Sequence, residues 1–225
     1  MDFNKKQPAI LFLDRNRVDF WTTGLSAPVS IQLPETVVNL LEVSNVAGLE
    51  NLIKTFVQQN SLPPRTLTII LSFNILFEKD FVEILPEKRE IEIQKFLGSI
   101  PFENLYSKSF SSPQATHVIA VNKDLCDAVK NSFLKLGFEI DVLVPYVALG
   151  PEANTDTLDL KTSQQIIKNL DSMKQYGIPF EKIDTSIQPI IPKETKTRKV
   201  NIRLYVMIGS LGILIMVLFT LLLRG

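Results

Sequence analysis

The stretch from Leu204 to Leu223, "LYVMIGSLGILIMVLFTLLL", contains no charged residue. A helix needs about 20 apolar residues to cross a bilayer core, and a soluble helix of that kind would have to be buried all round. The run is therefore expected to be a transmembrane helix, with Leu204 and Leu223 at its ends and Gly209 and Gly212 within it. Lys193, Lys196, Arg198, Lys199 and Arg203 precede it, against one acid, Glu194. A basic flank stays on the cytoplasmic side. The preceding residues are thus expected in the cytoplasm, and the chain is expected to end just across the membrane, where Arg224 reaches the far headgroups.

Any globular fold must come from the residues before that run. Lysine plus arginine and aspartate plus glutamate both number 24. A balanced chain has no overall field to attract nucleic acid, so nucleic acid is not an expected partner. The single cysteine, Cys126, excludes an internal disulfide framework and suits a reducing compartment. The N-terminal apolar run stops at Asp14 and Arg15, too soon for a signal peptide.

Strands and helices alternate along this part. Short strands are expected at Ala9–Asp14, Val18–Thr22 and Val29–Leu33, the first two around a tight "DRNR" turn. Leu49, Leu52, Ile53, Phe56 and Val57 recur at helical spacing over Leu49–Gln59. "TLTIILS", Thr66–Ser72, reads as a strand buried on both faces, with Leu76–Leu85 as its partner. Pro86 opens a charged helix to Gly98, and Tyr106–Phe110 reads as an edge strand. Ala115–Asn122 is a strand whose last residue caps a helix over Lys123–Leu136, Gly137 closes that helix, and Phe138–Val144 returns as a strand. Leu160–Tyr176 has helical spacing, and Ile178–Arg198 mixes proline with charge as an extended linker does. This order indicates an α/β or α+β fold with a mixed sheet. The expected organisation is a domain over 1–150, a loop and helix over 151–177, a linker and basic flank over 178–203, and a span over 204–223.

Residues suited to catalysis are few. His117, the one histidine, lies mid-strand and reads as structural. Cys126 lies beside Leu125 and Val129 and reads as a packed small hydrophobe. With no second cysteine or histidine a zinc site is not expected, and no Walker or GxGxxG pattern offers a phosphate cradle. Glu87, Glu90 and Glu92 alternate with Lys88, Arg89 and Lys95, the pattern of a solvated helix face. No catalytic, cofactor-binding or metal-binding residue is therefore assigned. The helix after Asn122 is expected to turn Lys123, Asp124, Asp127, Lys130 and Lys135 outward as a candidate docking surface, with Leu125, Val129, Phe133 and Leu134 inward.

Four segments carry a resemblance: "AILFLDRNRVDFW", "LPPRTLTIILSFNILFEKDFVEIL", "EIEIQKFLGSIPFENL" and "VIAVNKDLCDAVKNSFLKLGFEIDVLVPYVALG". Over Ala9–Gly150 the chain resembles the actin-like cytoplasmic domains of type IV pilus and type II secretion platforms, the PilM and GspL type. The resemblance implies half of an actin-like, ribonuclease H-like fold. It departs at the first hairpin, where actin-like ATPases place Asp-x-Gly-Ser/Thr so that backbone N–H groups meet phosphate. Here Asp14 is followed by Arg15 and Asn16, and no second half of comparable size is evident after Gly150. The resemblance implies a non-enzymatic, single-pass inner-membrane scaffold that docks other platform proteins or a cytoplasmic motor ATPase, with a homo-oligomer as a further partner expectation. A nucleotide-regulated or degenerate actin-like ATPase and an unrelated tail-anchored tether stay open as alternatives.

Overall fold

A computed structural model describes residues 7–82, 85–112, 115–150 and 157–178. The chain divides into two compact units, Met1–Glu181 and Lys182–Gly225, and the second lies wholly outside the described residues. The expected span with Leu204, Gly209, Gly212 and Leu223, the basic flank, and all of the expected linker but Ile178 therefore fall outside them as well. Among the described residues no helix is long and apolar enough to cross a membrane.

The first strands form a meander: β1 (Pro8–Leu13), β2 (Arg17–Thr22) and β3 (Val29–Gln32) pair antiparallel in turn. β6 (Thr66–Leu71) and β10 (Glu139–Pro145) extend the sheet in parallel on the other side of β1, giving the order β10-β6-β1-β2-β3. The sheet is mixed, as expected. β1 and β6 are central strands and are buried on both faces, which is why they read as unbroken apolar runs.

Side chains alternate across the sheet, so each face has its own core. Ala9, Leu11 and Leu13 of β1 face α1 (Val46–Gln59) and α3 (Lys123–Leu134), meeting Leu49, Ile53, Phe56, Leu125, Val129 and Phe133. Ile10 and Phe12 face the other way, toward Ile166 and Met173 of α4 (Leu160–Met173). The boundary read at Gly150 is thus not a packing boundary. Without α4 the second face of the sheet would lose its apolar cover.

Polar residues set the helix ends. The Asn45 side chain accepts the N–H of Gly48 at 2.8 Å, and this cap starts α1 a turn earlier than its apolar spacing suggests. The Asn122 side-chain oxygen accepts the N–H groups of Asp124 and Leu125. At the far end of α3, Gly137 takes φ +84°; its N–H donates to the Leu134 carbonyl and that of Phe138 to the Phe133 carbonyl, which closes the helix in the expected way.

One expectation about pairing is corrected. The strand β7 (Leu76–Val82) does not pair with β6, whose two edges are taken by β1 and β10. A 3₁₀ turn at Phe73–Ile75 carries the chain out of the large sheet, and β7 pairs instead with β9 (Ala115–Asn122). With β8 (Leu105–Ser111) at the opposite edge they form a separate three-stranded sheet, order β7-β9-β8. On one face it carries α2 (Pro86–Ser99), through Ile93, Phe96 and Leu97 against Phe81 and Val118. A hairpin of β4 (Val38–Asn39) and β5 (Glu42–Val43) was not expected. Its turn residues Leu40 and Leu41 have φ +48° and +68°, a conformation that favours glycine or asparagine, so the sequence carries no turn signal there.

Candidate functional site

The tight turn between β1 and β2 is the hairpin turn whose Asp14 the sequence singles out. The Asp14 N–H donates to the Arg17 carbonyl at 2.9 Å, closing the turn. The Asp14 carboxylate is buried and satisfied from three sides. Ser72 donates its hydroxyl to Oδ1 at 2.6 Å, Asn74 donates its amide to the same oxygen at 3.0 Å, and the Arg17 guanidinium donates to Oδ2 at 3.3 Å. Arg17 also pairs with buried Asp19 at 2.9 Å. The end of β6 and the turn of β1 are thus locked together by this chain's own side chains. Sequence reading found Asp14 but not Ser72 and Asn74, whose position opposite it depends on the β1–β6 register.

Of the five residues of the candidate docking surface, Asp124 and Lys135 are exposed, Lys123 and Asp127 are partly buried, and Lys130 is buried. Lys130 is 3% exposed and does not face outward as expected. Its ammonium donates to Asp127 Oδ1 at 2.6 Å, Lys123 donates to Oδ2 at 2.7 Å, and the Tyr106 hydroxyl of β8 donates to Oδ1 at 2.8 Å. The Lys123 ammonium sits 4.8 Å from the Tyr106 ring centre. Burial alone would raise the Asp127 carboxyl, but the donors Lys123, Lys130 and Tyr106 outweigh it and hold the group below its ordinary range. Burial, with Asp127 beside it, pushes the Tyr106 phenol up to about 12, and the Asp127 hydrogen bond raises Lys123. Asp124 accepts from the Asn104 amide at 3.3 Å, and Lys135 pairs with Glu50 of α1. Lys123, Asp127 and Lys130 are therefore one cluster joining α3 to β8, while Lys135 joins α3 to α1. The apolar face holds Leu125, Val129 and Phe133 fully buried and Leu134 partly so.

His117 and Cys126 have structural surroundings. His117 Nδ1 lies 2.7 Å from Asp80 and Nε2 3.1 Å from Glu78, so the carboxylates take opposite sides of the ring and do not converge on one point. Its ring stacks toward Phe110, which in turn meets Tyr176 at 5.9 Å. Cys126 is buried in the core, and burial pushes its thiol up to about 12.

A groove of about 530 Å³ runs between Ala148–Gly150 and α4. Among the described residues Gln165, Asn169 and Ser172 line it, and no carboxylate or imidazole does.

The turn that follows α4, Lys174–Tyr176, lies against the three-stranded sheet. Lys108 of β8 donates to the carbonyls of Gln175 at 2.6 Å and Gly177 at 2.7 Å. Lys174 pairs with Asp141 of β10 at 2.9 Å. Ile178 donates its N–H to the Leu143 carbonyl at 2.8 Å and is 1% exposed. Ile178 thus belongs to the packed domain and not to an extended linker. No signal in the sequence marks this contact, because Lys108 lies far from it along the chain.

No family model matches the chain, and no curated protein matches it. Among solved structures it is similar to the PilM–PilN type IV pilus biogenesis complex, with TM-score 0.45 and 17% identity over 64% of this chain and 48% of that one. It is similar to the cytoplasmic domain of EpsL, an inner-membrane component of the type II secretion system of Vibrio cholerae, with TM-score 0.40 and 16% identity over 66% and 60%. It is also similar to a Bacteroides thetaiotaomicron protein of actin-like ATPase fold, with TM-score 0.30 and 12% identity over 62% and 54%. The chain thus spans between 48% and 60% of the length of the solved chains it is similar to.

Proposed function

We propose that the chain is a non-enzymatic, single-pass inner-membrane scaffold of a type IV pilus or type II secretion-like platform. Its N-terminal domain stands in the cytoplasm and docks other platform proteins. The observation that carries this reading is the Asp14 turn. Phosphate binding at such a turn needs free backbone N–H groups and close approach. Here the Asp14 N–H is used by Arg17, and the carboxylate is saturated by Ser72, Asn74 and Arg17. The four sequence segments that resemble the PilM and GspL type support the platform assignment, and the uncharged run from Leu204 to Leu223 supports the anchor.

Two measurements on the full chain test it. Titration with magnesium-ATP in calorimetry should give no heat of binding, and micromolar binding would return the chain to the nucleotide-regulated class. Protease added to intact spheroplasts should leave the N-terminal domain uncut. Its digestion from outside would reverse the topology and exclude a cytoplasmic docking role.

A further inference from the structure

We propose that Lys174–Ile178 is a releasable strap, which clamps the three-stranded sheet to the outer edge of β10 and opens without unfolding the domain. The segment touches both sheets. Lys108 reaches from β8 to two of its carbonyls, and Phe110 of β8 packs on Tyr176. On the other side Lys174 pairs with Asp141 and Ile178 bridges to Leu143, both on β10. Gly177 sits between them, where a Cβ would come within 2.3 Å of Val142 Cγ2 and 2.9 Å of the Lys174 carbonyl. Only glycine lets the backbone lie this close to the β10 edge.

The strap is weakly held compared with what it covers. Among its described side chains only Ile178 is fully buried; Tyr176 meets Phe110 from an exposed position, and the remaining bonds are polar. The ladder of β10 to β6 lies on the opposite edge from the strap and shares no hydrogen bond with it. Segments with few buried apolar contacts open locally at far lower cost than the core. Opening frees the Leu143 carbonyl on a strand edge, and such an edge is a template for pairing with another chain. Ile178 is also the point at which the described domain passes into the stretch leading to the expected span.

Native-state hydrogen exchange on the full chain in lipid nanodiscs, over a series of low urea concentrations, tests this. The amides of residues 175–178 should exchange by an opening that is insensitive to urea, while those of β1 and β6 follow global unfolding. In Lys108→Met, which keeps the aliphatic stem, exchange in 175–178 should rise by about tenfold, as expected for loss of charged hydrogen bonds, with β1 and β6 unchanged. If residues 175–178 share the urea dependence of β1 and β6, or if the variant accelerates every region alike or none, there is no separate strap. Should Lys108→Met not fold, the urea series on the unaltered chain decides alone.

Discussion

The Tyr106 hydroxyl donates to Asp127 at 2.8 Å and ties the edge strand of the small sheet to the helix that backs the large one. Asp127 at the same time neutralises Lys130, whose side chain is 4% exposed. Removing one partner of a buried pair takes a close compensating charge from the other and costs about 3 kcal/mol. Asp127→Asn should therefore destabilise the domain by roughly that amount in urea unfolding followed by circular dichroism. Asp127→Asn combined with Lys130→Met should recover part of the loss, because the buried ammonium that had faced Asp127 is gone. Additive losses in the double variant would show that the two groups do not interact.

The same cluster sets a pH window. The folded Asp127 carboxyl lies below the ordinary aspartate value of about 3.9, so folding favours its ionised form. Its contribution is complete above about pH 4 and is lost as pH falls through the folded value. The Tyr106 phenol is raised to about 12, so folding favours its neutral form. Its contribution is complete below about pH 10, the ordinary tyrosine value, and disappears as pH rises toward 12. Urea midpoints across pH should fall on both sides of that window. Tyr106→Phe should shallow the alkaline arm, and an unchanged arm would place the loss elsewhere.

Leu40 and Leu41 hold positive φ for different reasons. Leu41 is 8% exposed and packs in the core, and its carbonyl accepts the Asn122 side-chain amide at 2.9 Å. Leu40 is 68% exposed and contributes little packing to offset a left-handed backbone that costs about 1 kcal/mol or more. Asparagine tolerates that conformation. Leu40→Asn should stabilise the domain by about 0.5–1 kcal/mol, read as a higher urea midpoint. A lower midpoint would mean that Leu40 packs in the folded protein more than its exposure indicates.

Cys126 provides a probe of global unfolding. Its thiol is buried and raised to about 12, so at pH 8 it is neither accessible nor ionised. In the folded full chain it should resist maleimide, and its labelling should rise in step with urea unfolding. Labelling of folded protein at the rate of a free thiol would contradict its place in the core.

The elements of this fold were legible where a local rule governs them. Thr66–Leu71 is continuous and β-branched because both its faces are covered, and Asn122 and Gly137 mark the ends of α3 by chemistry visible in sequence. Pairing was less legible. β7 follows β6 directly yet leaves its sheet, because strand neighbours are decided by free edges and not by chain order. The outward face expected of α3 failed at Lys130 for a related reason. Helical spacing places a side chain on a face, but Asp127 and Tyr106 decide whether a charge on that face can be buried. Ser72 and Asn74 were missed because only tertiary register brings them to Asp14.

That last contact also bears on how the central strands find their alignment. In a half-exposed strand a slip of one residue is penalised at once, since it carries apolar groups to water and polar groups into the core. β1 offers no such penalty. Ala9 through Leu13 are buried on both faces, so a slipped pairing with β6 would still set apolar against apolar. Asp14 ends this ambiguity. A strand shifted back along β6 would set this carboxyl group against Leu71 or Ile70, and one shifted forward would set it against Phe73, in either case away from Ser72 and without its buried hydrogen bonds. One carboxyl group at the end of an otherwise indifferent strand thus acts as its index mark, and selects one alignment from several that the hydrophobic effect alone would accept.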